Sequence, residues 1–339
     1  MNLKYDVYYE IGDFLTFTQL IPKKKMWKIK LDDEHKSELA LFLRKIEAGI
    51  NDNELSLLLK ESSQYVNSIF TFLKLNYLVS NFNSHEYNSS PFFRQLEVFD
   101  SWDRKGISPL EYQKKLIESS VFIIGAGGTG TSLANILNSC GVGNLFIADY
   151  DCIEISNLSR QFLYTINDIG QKKTETIANY FCRRGLGYVK PITERITLNN
   201  VNQLLERAGK KIDIVTGLPL PTNKSTLDLY KTILDTGTPI LSIGEHDVGP
   251  LFFCYEDVLN FLDYLQDSFI LQKQHNERRN SQIITDRHPS YLPEISIVCS
   301  IGADEIIRYI SGYAPIRTYK SSFGLETISY KTKYVTMSK

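Results

Sequence analysis

Six residues, Gly125-Ala126-Gly127-Gly128-Thr129-Gly130, stand between an apolar run, Val121 to Ile124, and a helical pattern, Thr129 to Cys140. Gly125, Gly127 and Gly130 satisfy G-x-G-x-x-G in the strand-loop-helix context that the motif needs. Glycines let the chain turn tightly and let phosphate oxygens approach bare N–H groups, and the following helix N-terminus favours negative charge. A nucleotide-binding loop is the expectation. A tight structural glycine turn is the alternative that the spacing by itself permits.

The loop opens a strict alternation. Strand Val121 to Ile124 and helix Thr129 to Cys140 are followed by strand Asn144 to Asp149, helix Lys172 to Arg184 and strand Lys190 to Ile196. Helix Asn200 to Ala208, strand Ile212 to Thr216, helix Lys224 to Leu234 and strand Pro239 to Ile243 continue it. Strands alternating with helices predict an α/β fold, a doubly wound and mainly parallel sheet covered on both faces. Beyond it lie a polar, charged stretch, Gln266 to Arg287, and a helical pattern, Ile297 to Ile310.

The N-terminal residues read differently. Tyr5 to Tyr9, Phe14 to Leu20 and Trp27 to Leu31 alternate like strands, and Leu39, Phe42, Leu43 and Ile46 recur at helical spacing. A short Asn53 to Lys60 segment and a third helix carrying Val66, Ile69, Phe70 and Leu73 complete an α+β, winged-helix-like module. From Ser80 to Pro91 the composition turns polar, which marks a linker. The expected domains are therefore 1–80, a linker segment 81–118, and a nucleotide-binding domain 119–339, in keeping with a length of 339 residues.

A formal net charge of −1 gives no electrostatic footprint for nucleic acid or a membrane surface. No window approaches the roughly 18 apolar residues of a spanning helix, and Met1 to Glu10 lacks the basic and apolar regions of a signal peptide. A cytoplasmic location is the expectation. Cys140, Cys152, Cys182, Cys254 and Cys299 are dispersed without a C-x-x-C pair, which predicts reduced thiols.

Asp149 ends the second strand of the alternation about twenty residues beyond the loop, where a carboxylate can accept hydrogen bonds from ribose hydroxyls. On that ground NAD and ATP fit equally, and strand-end or capping roles for Asp149 and Asp151 stay open. The next segment runs Asp149-Tyr150-Asp151, then Ser156-Asn157-Leu158-Ser159-Arg160-Gln161, then Gly170-Gln171-Lys172-Lys173. With the glycine loop these residues resemble the adenylating superfamily of ThiF, MoeB and the ubiquitin-activating enzymes, whose pattern is G-x-G-G-x-G, D-x-D, S-N-L-x-R-Q and G-x-x-K. The resemblance implies ATP held by Gly125, Gly127, Gly128 and Gly130, with Asp149 and Asp151 on the ribose side and Asn157, Arg160, Gln161 and Lys173 on the phosphates. An Arg fork and a Lys point charge suit a triphosphate. The resemblance further implies a homodimer in which an arginine ahead of the first core strand reaches the partner's ATP site; Arg94 is the candidate and Arg104 the alternative.

Two departures from the family pattern matter. The segment Asp213 to Asn223 lacks the usual carboxylate just after the fourth strand, so magnesium must be held by phosphates and water or by a carboxylate from elsewhere. Cys254 stands without the partners of a tetrahedral thiolate site, so no zinc is expected, and no other metal site is assigned.

The added N-terminal module resembles that of the precursor-peptide-modifying members, which include the microcin C peptide adenylating enzyme and the zinc-free pantocin A maturation enzyme. This similarity implies a short precursor peptide whose leader adds a strand to the small sheet, with Lys24, Lys25, Trp27 and Lys28 bordering it. A solvated basic turn is the alternative for those lysines. The expected chemistry is attack of a peptide carboxylate on the α-phosphate of ATP, then intramolecular attack on the acyl-adenylate, with Arg160, Lys173 and Arg94 stabilising charge. Glu245, His246 and Asp247, beyond the fifth strand, are candidate acid, base or metal-holding groups, or else a polar loop. A sulfur-carrier or ubiquitin-like protein activator and a catalytically inactive nucleotide-binding scaffold remain as other readings.

Overall fold

The computed structural model describes residues 1–20, 23–244, 246–276, 290–326 and 331–336. The chain divides into two compact units, Met1–Lys114 and Lys115–Lys339.

In the first unit β1 (Asn2–Leu3), β2 (Val7–Ile11), β3 (Phe14–Gln19) and β4 (Lys25–Lys30) precede α1 (Lys36–Ala48), α2 (Asp52–Glu61) and α3 (Gln64–Leu75). After them come β5 (Val79–Ser80), α4 (Phe93–Trp102) and the start of α5 (Pro109–Glu118). Strands β2, β3 and β4 form an antiparallel sheet in that order, with Phe17 opposite both Tyr9 and Trp27. Side chains alternate across a pleated strand, so Leu15 and Phe17 share the covered face and are fully buried. Leu39, Phe42, Leu43 and Ile46 of α1 and Val66, Ile69, Phe70 and Leu73 of α3 pack into the same core. Each such side chain contributes about 1.5–3 kcal/mol on burial.

Local chemistry starts the helices. Asn51 accepts the Glu54 amide at 2.9 Å while Glu54 reaches back to the Asn51 amide, and Ser63 caps α3 through the Val66 amide. Residues 81–114 belong to this unit rather than trailing from it, and Leu96, Phe99 and Tyr112 are buried.

The second unit contains β6 (Ser120–Ile124), α6 (Gly128–Ser139), β7 (Asn144–Ala148), α7 (Lys173–Arg184), β8 (Tyr188–Ile192), α8 (Val201–Glu206), β9 (Ile214–Leu218), α9 (Lys224–Leu234) and β10 (Ile240–Ile243). It closes with β11 (Asp247–Phe252), α10 (Tyr255–Asn276), α11 (Leu292–Ser311), β12 (Ser321–Glu326) and β13 (Lys331–Thr336). One sheet runs in the order β13-β12-β11-β10-β9-β6-β7-β8. From β10 to β8 the pairings are parallel, and from β13 to β10 they are antiparallel. The fold is thus the expected doubly wound α/β sheet with an antiparallel extension.

Strand order reverses between β6 and β9, which opens a crevice outside their carboxyl ends, the place where ligands bind in such sheets. Four elements differ from the sequence reading. Asp247–Phe252 pairs antiparallel with β10 as β11, a strand that the polar residues ahead of Val248 disguise in the sequence. The polar stretch from Gln266 continues α10 as far as Asn276, while 277–287 lie outside the described residues. Strands β12 and β13 also escape a reading based on apolar runs, because the residues of β13 are almost all exposed. Among the described residues no helix is long and apolar enough to cross a membrane.

Candidate functional site: the glycine loop and its cavity

The glycine loop leaves β6 at its carboxyl end and enters α6 through Gly127. Two of its glycines are required by geometry. Gly125 has φ +94°, a conformation that side chains resist, and a Cβ on Gly130 would lie 1.9 Å from the Gly125 carbonyl oxygen. Gly127 is different: the nearest atom to a Cβ there is Gln161 Nε2, at 3.9 Å. Its openness leaves room for a ligand to approach the backbone.

Asp149, just past β7, holds the loop rather than standing free. Its Oδ2 accepts the Ala126 amide at 2.6 Å and its Oδ1 accepts the Asp151 amide at 2.8 Å. Tyr164 donates its hydroxyl to the Ala126 carbonyl at 2.9 Å; burial first, and the Asp149 charge second, push that phenol above its ordinary range and keep it a donor.

The crossing segment between β7 and α7 brings the polar residues over this loop. Asn157 Oδ1 accepts the Glu154 amide at 3.1 Å, and Arg160 Nη1 donates to the Ser156 carbonyl at 2.7 Å. Lys173, in the first turn of α7, is buried, with Nζ 3.0 Å from Asp151 Oδ2. Gln161 is buried as well, and its Oε1 has no hydrogen-bond partner among the described residues.

A cavity of about 900 Å³ lies among these groups, lined by Gly127, Gly128, Asp149, Asp151, Asn157, Arg160, Gln161 and Lys173. Thr129, Cys152, Glu154, Ile155, Ser156, Ser290 and Ile295 complete its wall. Gly125 and Gly130 shape the loop from behind it. The volume, the cationic Lys173 and Arg160, the loop amides and the orphaned Gln161 oxygen all fit a polyanionic nucleotide.

Residues 93–339 match the family model described as the ThiF family. The chain belongs to the ThiF family. ThiF-family relatives include the maize adenylyltransferase and sulfurtransferase MOCS3-1, 34% identical over 155 residues, which are 43% of this chain and 32% of the relative. The sulfur carrier protein ThiS adenylyltransferase of Escherichia coli K12 is 48% identical over 66 residues, 20% of this chain and 26% of the relative. The chain therefore spans about a third or less of the length of these curated relatives. Solved structures match end to end. E. coli MccB with ATP aligns with TM-score 0.73 and 21% identity over 99% of this chain and 96% of that one. PaaA aligns with TM-score 0.70 and 19% identity over 98% and 99%. At such identities the likeness is one of fold.

The remaining candidates are placed less uniformly. Arg94 lies in the first unit on α4, 76% exposed, with its guanidinium 3.6 Å from Glu97 and over the Phe93 ring. Arg104 donates to the carbonyls of Ser101 and Asp103 and to Gln19 Oε1, so it is committed to holding its own unit together. Lys24 precedes β4, and Lys25, Trp27 and Lys28 lie on it; β4 is an edge strand of the small sheet. Trp27 packs edge-on against Phe72 of α3.

Glu245 lies outside the described residues. Asp247 begins β11 and does not line the cavity. A Cβ on Gly244 would fall 2.2 Å from Asp247 Oδ1, so the carboxylate is folded against that glycine, and burial raises its pKa. His246 points elsewhere, its Nδ1 2.5 Å from Glu294 Oε1 in the first turn of α11. Sequence reasoning missed Ser290 and Ile295, which line the cavity, and Glu294 beside Ile295 on α11. Their link to the site is a long-range packing relation: α11 lies along α6, and Ile295 Cδ1 stands 2.8 Å from where a Cβ on Gly128 would be.

Proposed function

We propose that this chain is an ATP-dependent enzyme that adenylates a carboxylate of a ribosomally made precursor peptide, after which a group within the same peptide attacks the activated acyl carbon. The observation that carries the reading is the cavity joining the glycine loop to Asp151, Asn157, Arg160, Gln161 and Lys173. Lys173 and Arg160 would neutralise the phosphates as the carboxylate oxygen attacks the α-phosphorus, and the amides of the loop would orient them. Magnesium would arrive with the phosphates and supply charge neutralisation. Leu218, Pro219 and Leu220 offer no carboxylate at the end of β9, so its protein ligands would be few.

The peptide reading draws on the first unit and on the end-to-end likeness to MccB, which has been solved with N-formylated MccA. The leader would pair with the edge strand β4, with Trp27 and the lysines Lys24, Lys25 and Lys28 selecting it. Activity would belong to a cytoplasmic homodimer, with Arg94 reaching the partner's nucleotide and with no zinc required.

Pyrophosphate–ATP exchange tests this directly. Exchange that appears only with a peptide encoded by a short reading frame beside the gene is the expected result. No exchange with any such peptide would overturn the peptide reading. A sulfur-carrier activator is the second reading, favoured by the identity to the ThiS adenylyltransferase, and exchange driven by a carrier protein ending in Gly-Gly would select it. Absence of adenylate under both conditions, with ATP still bound, would leave a nucleotide-binding scaffold without chemistry.

A further inference from the structure

We propose that Glu294 is a positioning residue that fixes the His246 ring with its Nε2 lone pair free, so that His246 takes the proton of the nucleophile attacking the activated acyl group. The inference rests on the adenylation reading above and concerns its second step.

The two side chains come from positions 48 apart in sequence, with His246 Nδ1 2.5 Å from Glu294 Oε1. A carboxylate oxygen that faces Nδ1 accepts, so Nδ1 carries the hydrogen, and in the neutral form of the ring Nε2 is left as the acceptor. The carboxylate side chain is 16% exposed and the imidazole 62% exposed, so a largely covered group orients a ring that is open to solvent. This is the orienter-base arrangement on which activated nucleophiles depend. Charged groups that act on the ring include Glu294 from α11, in contact with Nδ1, and Asp247 from β11, which interacts with it electrostatically.

Place matters as much as pairing. The ring stands at the carboxyl edge of β10, where the sheet turns from parallel to antiparallel. Glu294 immediately precedes Ile295, which walls the nucleotide cavity over Gly128. Because β10, β9 and β6 run parallel, the pair stands on the same edge of the sheet as the glycine loop, one residue along α11 from the cavity wall. In the step assigned to it, the nucleophile gives its proton to Nε2 and bonds to the acyl carbon. The bond from that carbon to the phosphate oxygen breaks, and AMP leaves with the electron pair.

Two arms test the proposal. Long-range nitrogen–proton NMR on histidine-labelled full-length protein, with the signal assigned by His246→Gln, should show the Nδ1–H tautomer for neutral His246. Glu294→Leu should shift it toward Nε2–H while calorimetric ATP affinity stays within about two-fold of wild type. The same tautomer in both proteins would overturn the assignment. In the second arm, synthetic peptides from the adjoining short reading frames are used. Glu294→Leu should keep pyrophosphate exchange and lose about 100-fold in product formation, with partial recovery in Glu294→Asp. Unchanged product formation would overturn the role. If wild-type protein shows no peptide-dependent exchange, the proposed function fails, and the tautomer arm still decides the positioning.

Discussion

Lys173 Nζ lies 3.0 Å from Asp151 Oδ2, yet the lysine side chain is 7% exposed and the aspartate 47% exposed. The charge is desolvated at the cavity wall while its partner remains in water, so a nucleotide phosphate can add to the lysine without displacing a buried salt bridge. Lys173→Met should weaken ATP binding about 10- to 100-fold, the worth of one or two charge-assisted hydrogen bonds. Because Asp151 stays hydrated, the stability change should be only about 1 kcal/mol. Calorimetric titration and thermal unfolding of the same preparation check both halves.

Two neighbouring glycines should respond in opposite ways. Gly130→Ala places a methyl 1.9 Å from the Gly125 oxygen, so the backbone must move, at a cost of about 1–3 kcal/mol and a lower melting temperature. Gly127→Ala meets nothing closer than 3.9 Å and should leave melting within about 0.5 kcal/mol while reducing nucleotide affinity. Equal melting of the two variants would contradict the loop geometry.

In the first unit, burial pushes Asp100 up to about 6 despite Lys4 nearby, and lowers Lys4. The folded state holds the Asp100 proton more tightly than an unfolded carboxyl of ordinary value 3.8. The stability that this group contributes is therefore full below about 3.8 and lost as pH rises through about 6. Asp100→Asn should remove a slope on the order of 3 kcal/mol across that window, since each tenfold change in proton affinity is worth about 1.4 kcal/mol. Urea unfolding at several pH values, as the difference between wild type and variant, measures it.

If Arg94 acts across a dimer, Arg94→Ala and Lys173→Met proteins should each be inactive alone. Mixed after subunit exchange, they should regain about a quarter of wild-type activity, because half of the dimers then carry one intact site. No recovery, with exchange of subunits verified by mass, would place Arg94 outside the site.

Much of the site was legible because its chemistry is local. A glycine at φ +94°, a second glycine pressed on its carbonyl, and an arginine and lysine a short crossing later leave their spacing in the sequence whatever surrounds them. The parallel core was legible for a related reason: strands buried on both faces must be apolar runs. The antiparallel extension was not, since a half-exposed strand such as β13 has few apolar residues to announce it.

The sequence by itself determined a doubly wound α/β fold, the glycine loop after its first core strand, and the cations Arg160 and Lys173 that share a cavity with that loop. Only the tertiary structure decided that Asp149 braces the loop, that Asp247 turns to Gly244 while His246 turns to Glu294, and that Ile295 closes the cavity. Apart from the Asp247–Gly244 contact, each of these is a meeting of residues distant along the chain. Such a meeting depends on how helices pack on the sheet, and local composition and period do not encode it.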